Sequence, residues 1–202
     1  MHSHFLPHQL GCGIPSGADA ATALIQATLD AHPEWVAISL DVRNAFNTFD
    51  RNTTWEPVRA ITPSLFPLFA YLYGAPSDQI FTDTDNTIRT IPSTMGSRQG
   101  CVLGTFAYAN ALQPTLQTIN RHHLATRQAF AISYVDDAVI VAPPQEATNV
   151  MRLYSRLISM QTLSTLRIDK CHAFSPTHSE HTMHTHFNLP QECSSSTEGL
   201  NI

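Results

Sequence analysis

The sequence predicts an α+β fold in which helices cover one face of an antiparallel sheet. Two observations lead to this class. Short runs rich in Val, Ile and Ala alternate with longer segments whose apolar residues recur at helical spacing. Two of the short runs also flank a tight acidic turn, which is typical of a β-hairpin. The resulting order of strand, helices, helix, hairpin, helix and strand suits a ferredoxin-like split βαβ layer.

Each element follows from its own local pattern. Residues 17–31 are rich in Ala with apolar side chains at helical spacing, and Pro33 ends that helix. Thr53 or Thr54 caps a later helix, and residues 83–86 have the composition of a turn. The predicted elements in chain order are helix 17–31, strand 36–40, helices 53–61 and 64–73, strands 80–82 and 87–91, helix 103–120, strands 128–133 and 138–142, helix 145–163 and strand 171–174.

The chain divides into three parts by composition. Residues 1–16 are rich in His, Pro and Gly and are predicted to be irregular. Residues 17–174 carry all the helix and strand patterns and form the predicted folded domain. Residues 175–202 are polar and poor in large apolar side chains, so we expect a disordered tail there.

Composition restricts the functional classes. The 202 residues are 43% hydrophobic, as in an ordinary folded domain, and 16 Asp and Glu against 11 Lys and Arg give a net charge of −5. This balance argues against a free-standing nucleic-acid binder, because phosphate contacts are made chiefly by basic groups. There is no signal peptide or membrane-spanning run, and the four cysteines are dispersed. We therefore expect an intracellular protein with free thiols and no membrane contact.

The segment Tyr134-Val135-Asp136-Asp137 places two adjacent carboxylates between two apolar strands. A plain hairpin turn explains the pair when it is taken alone, because Asp tolerates turn dihedrals. In the predicted sheet, however, Asp41 ends a strand that lies beside this hairpin. Three convergent carboxylates need a cation among them, and oxygen-only ligands suit Mg²⁺ or Mn²⁺. Such a set indicates phosphoryl transfer with two metal ions, against the alternative that a strand-end Asp and an Asp-Asp turn co-occur by chance.

Four segments in this order resemble motifs A to D of a reverse transcriptase palm domain. They are residues 39–47 for motif A, 98–104 for motif B, 134–137 for motif C and 166–171 for motif D. The Asn-Ala-Phe-Asn after Asp41 and the Gln-Gly-x-x-Leu-Gly of motif B are most similar to non-LTR retrotransposon enzymes. Residues 13–19 resemble the fingers-to-palm segment that precedes motif A in that group. The resemblance implies a polymerase palm with an RRM-like sheet and RNA-directed DNA polymerase activity.

The resemblance also implies a role for each matching residue of motifs A and C. Asp41, Asp136 and Asp137 would be catalytic carboxylates that hold two Mg²⁺ or Mn²⁺ ions, with the Val42 carbonyl as a further metal ligand. Phe46 would crowd the sugar 2′-position and so select dNTPs. A core phenylalanine at the start of a helix is the simpler interpretation of its spacing alone.

Motifs B and D supply the remaining candidates. Gln99 and Gly100 would contact the incoming nucleotide and the template, since an amide both donates and accepts and Gly allows close backbone approach. Lys170, which is the only lysine, would protonate the pyrophosphate leaving group. An ordinary helix-entry loop and a solvated lysine are the alternatives. The implied partners are an RNA template, a DNA primer and dNTPs.

Two other hypotheses stay open from the sequence. A fingers region and a thumb are expected to be largely missing, so the chain would be a catalytically inactive palm remnant. Eight of the 11 histidines lie near the two ends, including His181, His184 and His186. Clustered imidazoles bind transition metals, so a small His-rich metal-binding or interaction protein is the second alternative.

Overall fold

The alternating pattern of the sequence is realised as a mixed α+β fold, which the computed structural model describes for residues 2–124 and 129–198. Helix α2 and strand β1 have the predicted bounds, and Gln128, the first residue of a predicted strand, lies outside the described residues. In chain order the elements are α1 His2–Phe5, α2 Gly17–Ala31, β1 Val36–Leu40, α3 Ala45–Thr48, α4 Trp55–Ile61, α5 Phe66–Tyr73, β2 Ser77–Thr82, β3 Ile88–Ser93, α6 Gly104–Leu124, β4 Phe130–Tyr134, β5 Asp137–Ala142, α7 Pro144–Gln161, β6 His172–Phe174, α8 Glu180–His186 and β7 Ser194–Ser196.

Five strands form the main sheet in the order β4-β5-β1-β6-β7. The pairs β4–β5, β5–β1 and β1–β6 are antiparallel, and β6–β7 is parallel. Strand β1 therefore lies at the centre, with the β4–β5 hairpin on one side and β6 on the other. Leu40, the last residue of β1, and the turn of the β4–β5 hairpin lie at the same end of the sheet.

Helices cover both faces of this sheet. Ile38 and Ile140 share a buried cluster with α6 and α7, whereas the neighbouring Ala37 and Val139 pack with Ile25 of α2. Because successive strand residues point to opposite faces, β1 and β5 need continuous apolar runs rather than an alternating pattern. The single helical layer of the prediction thus corresponds to α6 and α7, and α2 adds a second layer on the opposite face.

Strands β2 and β3 form a separate two-stranded sheet outside the main core. Most of their side chains are exposed, including Ile80 and Ile88 at 72% each. At the turn, Arg89 pairs with Asp83 at 2.6 Å. This hairpin connects α5 to the loop that precedes α6. No helix in the described parts of the chain is both long and apolar enough to cross a membrane.

Both terminal segments are more ordered than the sequence predicts. In the expected disordered tail, residues 175–198 instead contain α8 and β7, while residues 199–202 lie outside the described residues. This segment packs against the main core through three side chains that are 95% or more buried: Met183, Leu189 and Cys193. In the expected irregular segment 1–16, Phe5 is fully buried. A few apolar anchors thus suffice to hold segments whose average composition is polar.

A substitution at Met183 tests the packing of the C-terminal segment. Met183→Ala is expected to lower the free energy of unfolding by about 2–5 kcal/mol, because it removes a fully packed side chain and leaves a cavity. Met160→Ala is the matched control, since Met160 is 68% exposed, and a change within about 0.5 kcal/mol is expected. Denaturant titration followed by circular dichroism measures both. Equal effects of the two variants would show that residues 175–198 are not packed.

Candidate active site

Asp41 and Asp137 come together because β1 and β5 pair with a specific register. Leu40 is opposite Ala138 in this antiparallel pair, so the next residues along the two strands are Asp41 and Asp137. Asp136 lies in the turn directly before β5. The charge of Asp41 raises the pKa of both Asp136 and Asp137. The strand register therefore places Asp41 next to Asp137, with Asp136 in the adjoining turn.

The turn that carries Asp136 has an unusual backbone. Tyr134 pairs with Asp137, which leaves Val135 and Asp136 as a two-residue loop. Val135 has a φ of 63°, a left-handed conformation that a β-branched residue rarely adopts and that costs about 1–3 kcal/mol. The Ser133 hydroxyl donates a hydrogen bond of 2.7 Å to the Val135 carbonyl. The turn is thus held in a backbone conformation that is unfavourable for Val135.

The carboxylates of this site are electrostatically unsatisfied. Burial raises the pKa of Asp136, and the charges of Asp137 and Asp41 raise it further. Burial and the charge of Asp41 likewise raise the pKa of Asp137. Within residues 2–124 and 129–198, no Lys, Arg or His side chain pairs with any of the three within 4.0 Å. A bound cation would relieve this repulsion, so the donor set fits Mg²⁺ or Mn²⁺.

The carboxylate oxygens are suitable ligands for Mg²⁺ or Mn²⁺, but they do not form a complete coordination shell. In the part of the chain that the structure describes, no three His, Cys, Asp or Glu side chains are arranged to hold a metal ion. Oxygens from outside this set, such as main-chain carbonyls, water or substrate phosphates, would complete the coordination, as is common for Mg²⁺. Val42, the predicted carbonyl ligand, is buried and directly follows Asp41.

Motif D is joined to motif A through the main chain. The Arg167 amide donates to the Asp41 carbonyl at 2.8 Å, and the Arg43 amide donates to the Thr165 carbonyl at 2.8 Å. These bonds lie on either side of an antiparallel bridge between Val42 and Leu166. Motif D therefore runs beside the carboxylates.

Lys170 follows this junction closely. It ends the 3₁₀ turn Ile168–Lys170, and its amide donates to the Arg167 carbonyl at 2.9 Å. Its side chain is exposed, whereas the Arg167 guanidinium is engaged by Asp169 at 2.6 Å. Lys170 thus lies with an exposed side chain three residues after Arg167, whose amide donates to the Asp41 carbonyl.

The motif A phenylalanine and motif B border one cleft of about 400 Å³. The Phe46 ring packs against that of Tyr108, with a centroid distance of 5.4 Å. Gly100 has a φ of 81° and open space around it, so the backbone conformation, not crowding, requires glycine there. The residues that line the cleft are Phe46, Ser97, Arg98, Gln99, Gly100, Cys101, Gly104 and Thr105. The structure therefore brings Phe46, Gln99 and Gly100 together.

Main-chain contacts dock the motif B loop on α3. The Ser97 amide donates to the Phe46 carbonyl at 2.5 Å, and the Gly96 amide donates to the Phe49 carbonyl at 2.8 Å. Gly96 has a φ of 58°, and a Cβ there would lie 2.2 Å from the carbonyl carbon of Asn47. Only glycine fits this contact. The position of Gln99 relative to Phe46 thus follows from backbone packing between two segments distant in sequence.

Arg51 is a site residue that the sequence analysis missed. It is 94% buried and donates four hydrogen bonds to the loop before motif B: to the Gly96, Ser93 and Met95 carbonyls and to the Ser93 hydroxyl, at 2.7–3.1 Å. Its guanidinium also lies 5.2 Å from the centre of the Tyr73 ring. Nothing in the local pattern after motif A signals this role, because the four side-chain hydrogen bonds reach residues that are 42–45 positions away.

The comparison with known proteins agrees with this geometry. Residues 4–189 match the family described as reverse transcriptase (RNA-dependent DNA polymerase). The chain belongs to this family. The match begins before motif A and continues past motif D, so it includes much of the C-terminal segment expected to be disordered.

One relative of this reverse transcriptase domain is the retrotransposable element SLACS 132 kDa protein of Trypanosoma brucei gambiense. The two are 32% identical over 120 residues, which is 55% of this chain and 9% of that protein. The chain thus spans less than a tenth of its relative.

Solved telomerase structures have a similar fold. The telomerase of Candida albicans, in complex with a fragment of telomeric RNA, superposes with a TM-score of 0.60 at 8% identity, over 84% of this chain and 32% of that one. The truncated apo telomerase of Candida tropicalis gives 0.58 at 10% identity, over 81% and 35%. At these identities the similarity concerns the fold alone, and it supports a polymerase palm.

Three histidines near the C-terminal end of the reverse transcriptase domain contact polar groups of the protein. Nδ1 of His184 lies 3.1 Å from the Leu189 carbonyl, and Nε2 of His178 lies 3.1 Å from the Glu34 carbonyl. The two ring nitrogens of His172 contact Ser194 and Ser196, at 2.8 and 3.1 Å. These contacts join the C-terminal segment to the domain. They give the His-rich alternative no support as a metal site.

The raised pKa of Asp136 leads to a stability prediction. Between its ordinary pKa of 3.8 and the raised value, the folded state binds more protons than the unfolded state, so stability falls as pH rises through that window. Asp136→Asn cannot ionise, so the variant does not lose folding stability in this way as the pH rises. In EDTA at pH 7 the variant is expected to unfold at a higher temperature than the wild type, and the difference is expected to vanish below about pH 3.8.

The control for this measurement is Asp78→Asn. Asp78 is exposed on β2, and its substitution is expected to change the unfolding temperature little. Addition of Mg²⁺ at pH 7 is expected to stabilise the wild type more than Asp136→Asn. A lower unfolding temperature for Asp136→Asn in EDTA would contradict the repulsion described above.

Proposed function

We propose that this domain catalyses RNA-templated DNA synthesis as part of a non-LTR retrotransposon polyprotein. The observation that carries the proposal is the position of Asp41, Asp136 and Asp137 at the same end of the sheet, where none of them has an ion-pair partner among the described residues. The retrotransposon origin is supported by the SLACS relative and by the motif wording. RNA template, DNA primer and dNTPs are the proposed partners, in line with the family.

The proposed cofactor is a pair of Mg²⁺ or Mn²⁺ ions held by Asp41, Asp136, Asp137 and the Val42 carbonyl. When bound, such ions activate the primer 3′-oxygen and stabilise charge on the departing pyrophosphate. The protein's own contribution is to hold the carboxylates in place through the β1–β5 register and the turn at Val135.

The remaining residues select and orient the substrate. The Phe46 ring, supported by Tyr108, would exclude a 2′-hydroxyl from the cleft. Gln99 and Gly100, which line the same cleft, would contact the nucleotide and the template strand. Lys170, whose side chain is exposed at the end of motif D, would donate a proton to the leaving pyrophosphate.

An inactive palm remnant is the second candidate, and the charge of the chain favours it. A net charge of −5 with 11 basic residues leaves little positive surface for a primer–template duplex. Because the chain spans 9% of its SLACS relative, the rest of a polyprotein would have to supply that surface.

Primer extension distinguishes the two candidates. With a DNA primer annealed to an RNA template, dNTPs and Mg²⁺, the wild type is expected to extend the primer and Asp136→Asn to be slower by about 100-fold or more. Bound metal ions stabilise the transition state by several kcal/mol, and each 1.36 kcal/mol is a factor of ten. Asp78→Asn is the matched control and should retain the wild-type rate. No extension by the wild type would favour the remnant.

A second variant tests the proposed sugar selection. Phe46→Ala is expected to raise the use of rNTPs relative to dNTPs on the order of ten-fold, because removal of the ring makes room for the 2′-hydroxyl. Phe81→Ala, on the exposed hairpin β2–β3, is the control and should leave the ratio unchanged. Single-nucleotide extension with each substrate measures the ratio. A loss of overall rate without a change in the ratio would indicate a purely structural phenylalanine.

A further inference from the structure

A short segment before α2 runs along the outer edge of the catalytic hairpin. The Ser133 amide donates to the His8 carbonyl at 2.8 Å, and the Leu10 amide donates to the Ser133 carbonyl at 2.8 Å. Gln9 accordingly forms a parallel bridge with Ser133. We call residues 8–11 the edge segment. It extends the sheet by one short stretch beyond β4 and ends beside the turn of motif C.

Gly11 is the point where the edge segment meets that turn. A Cβ on Gly11 would lie 2.5 Å from Cγ2 of Val135, 2.6 Å from its backbone nitrogen and 3.0 Å from the carbonyl carbon of Tyr134. Two of these three atoms belong to the backbone, so the neighbour cannot move aside by a simple change of rotamer. A side chain at position 11 would therefore displace either the edge segment or the turn.

The turn depends on support from its surroundings. Val135 is held at a φ of 63°, which is unfavourable for a β-branched residue, and Asp136 follows it directly. The Ser133 hydroxyl holds the Val135 carbonyl from within the hairpin. Gly11 contacts the amide end and the side chain of the same residue from outside it. Val135 is thus confined on both sides.

We infer that Gly11 is a positioning residue for the catalytic turn. By allowing the edge segment to pack directly on Val135, it holds the turn in the conformation that keeps Asp136 and Asp137 beside Asp41. The catalytic consequence rests on the proposed function, whereas the packing relation does not. Gly11 lies outside motifs A to D and acts through Val135.

Nuclear magnetic resonance on the labelled full chain tests the packing relation without any catalytic assay. In the wild type, a nuclear Overhauser effect is expected between the α-protons of Gly11 and the amide proton of Val135. Gly11→Ala is expected to shift the amide resonances of residues 134–137 more than Gly74→Ala does. Gly74 is the matched control, because a Cβ there would lie 2.4 Å from the Ala70 carbonyl oxygen, away from motif C.

Titration with MnCl₂ tests the consequence for the carboxylates. Gly11→Ala is expected to weaken Mn²⁺ binding about 10- to 100-fold, as is usual when the support of metal ligands is lost, and Gly74→Ala to leave it unchanged. Adding Val135→Gly to Gly11→Ala is expected to restore part of the affinity, since glycine accepts a φ of 63° and removes Cγ2. A Gly11→Ala variant that is folded as stably as the wild type and binds Mn²⁺ with unchanged affinity would show a merely structural role for Gly11.

The outcomes separate the inference from the proposed function. A missing Overhauser effect in the wild type, or equal resonance shifts at residues 134–137 in the two glycine variants, would overturn the inference. If these results are as expected but the wild type binds no Mn²⁺, the metal proposal fails and the positioning role stands. If Gly11→Ala does not fold, Mn²⁺ titration of the refolded double variant with Val135→Gly takes its place, and wild-type affinity there together with a missing wild-type Overhauser effect would overturn the inference.

Discussion

The pairing of β1 with β5 is the constraint on which the candidate site depends. Leu40 opposite Ala138 places Asp41 beside Asp137, and a slip of one residue would move every side chain of β1 to the opposite face. Such a slip is prevented because both faces are buried: Ile38 packs with α6 and α7, and Ala37 packs with α2. The two helical layers that build the core therefore also fix the spacing of the carboxylates.

The surrounding structure has to stabilise the site, because the carboxylates within it repel one another. The raised pKa values of Asp136 and Asp137 show that burial and mutual repulsion disfavour their charged forms. Val135 adds an unfavourable backbone conformation in the same turn. Unfavourable features of this kind persist only where the surrounding structure determines them, as the buried sheet and the edge segment do here. The cost is consistent with a site that gains stability when a cation binds.

The cleft lined by Phe46 and motif B is assembled mainly by backbone contacts. Phe46 and Gln99 come from segments about 50 residues apart, and main-chain hydrogen bonds from Gly96 and Ser97 join these segments. Arg51 holds the same loop with four hydrogen bonds, which satisfy most of a buried guanidinium without an acidic partner. The docking therefore depends on glycine at position 96 and on the Arg51 side chain as well as on main-chain hydrogen bonds.

The sequence by itself determined most of the elements between residues 17 and 174, their order and the candidate carboxylates. Strand ends, turn chemistry and helical spacing are local signals, and Asp41, Asp136 and Asp137 stand at such ends. Only the tertiary structure decided which distant segments touch. Arg51 and Gly11 carry no local signal, because their importance lies in contacts with residues more than 40 positions away. The C-terminal segment is also polar on average, yet three of its side chains are buried in the core: Met183, Leu189 and Cys193. Whether these side chains are buried depends on the space that the rest of the chain leaves for them, and the composition of the segment alone does not predict that space.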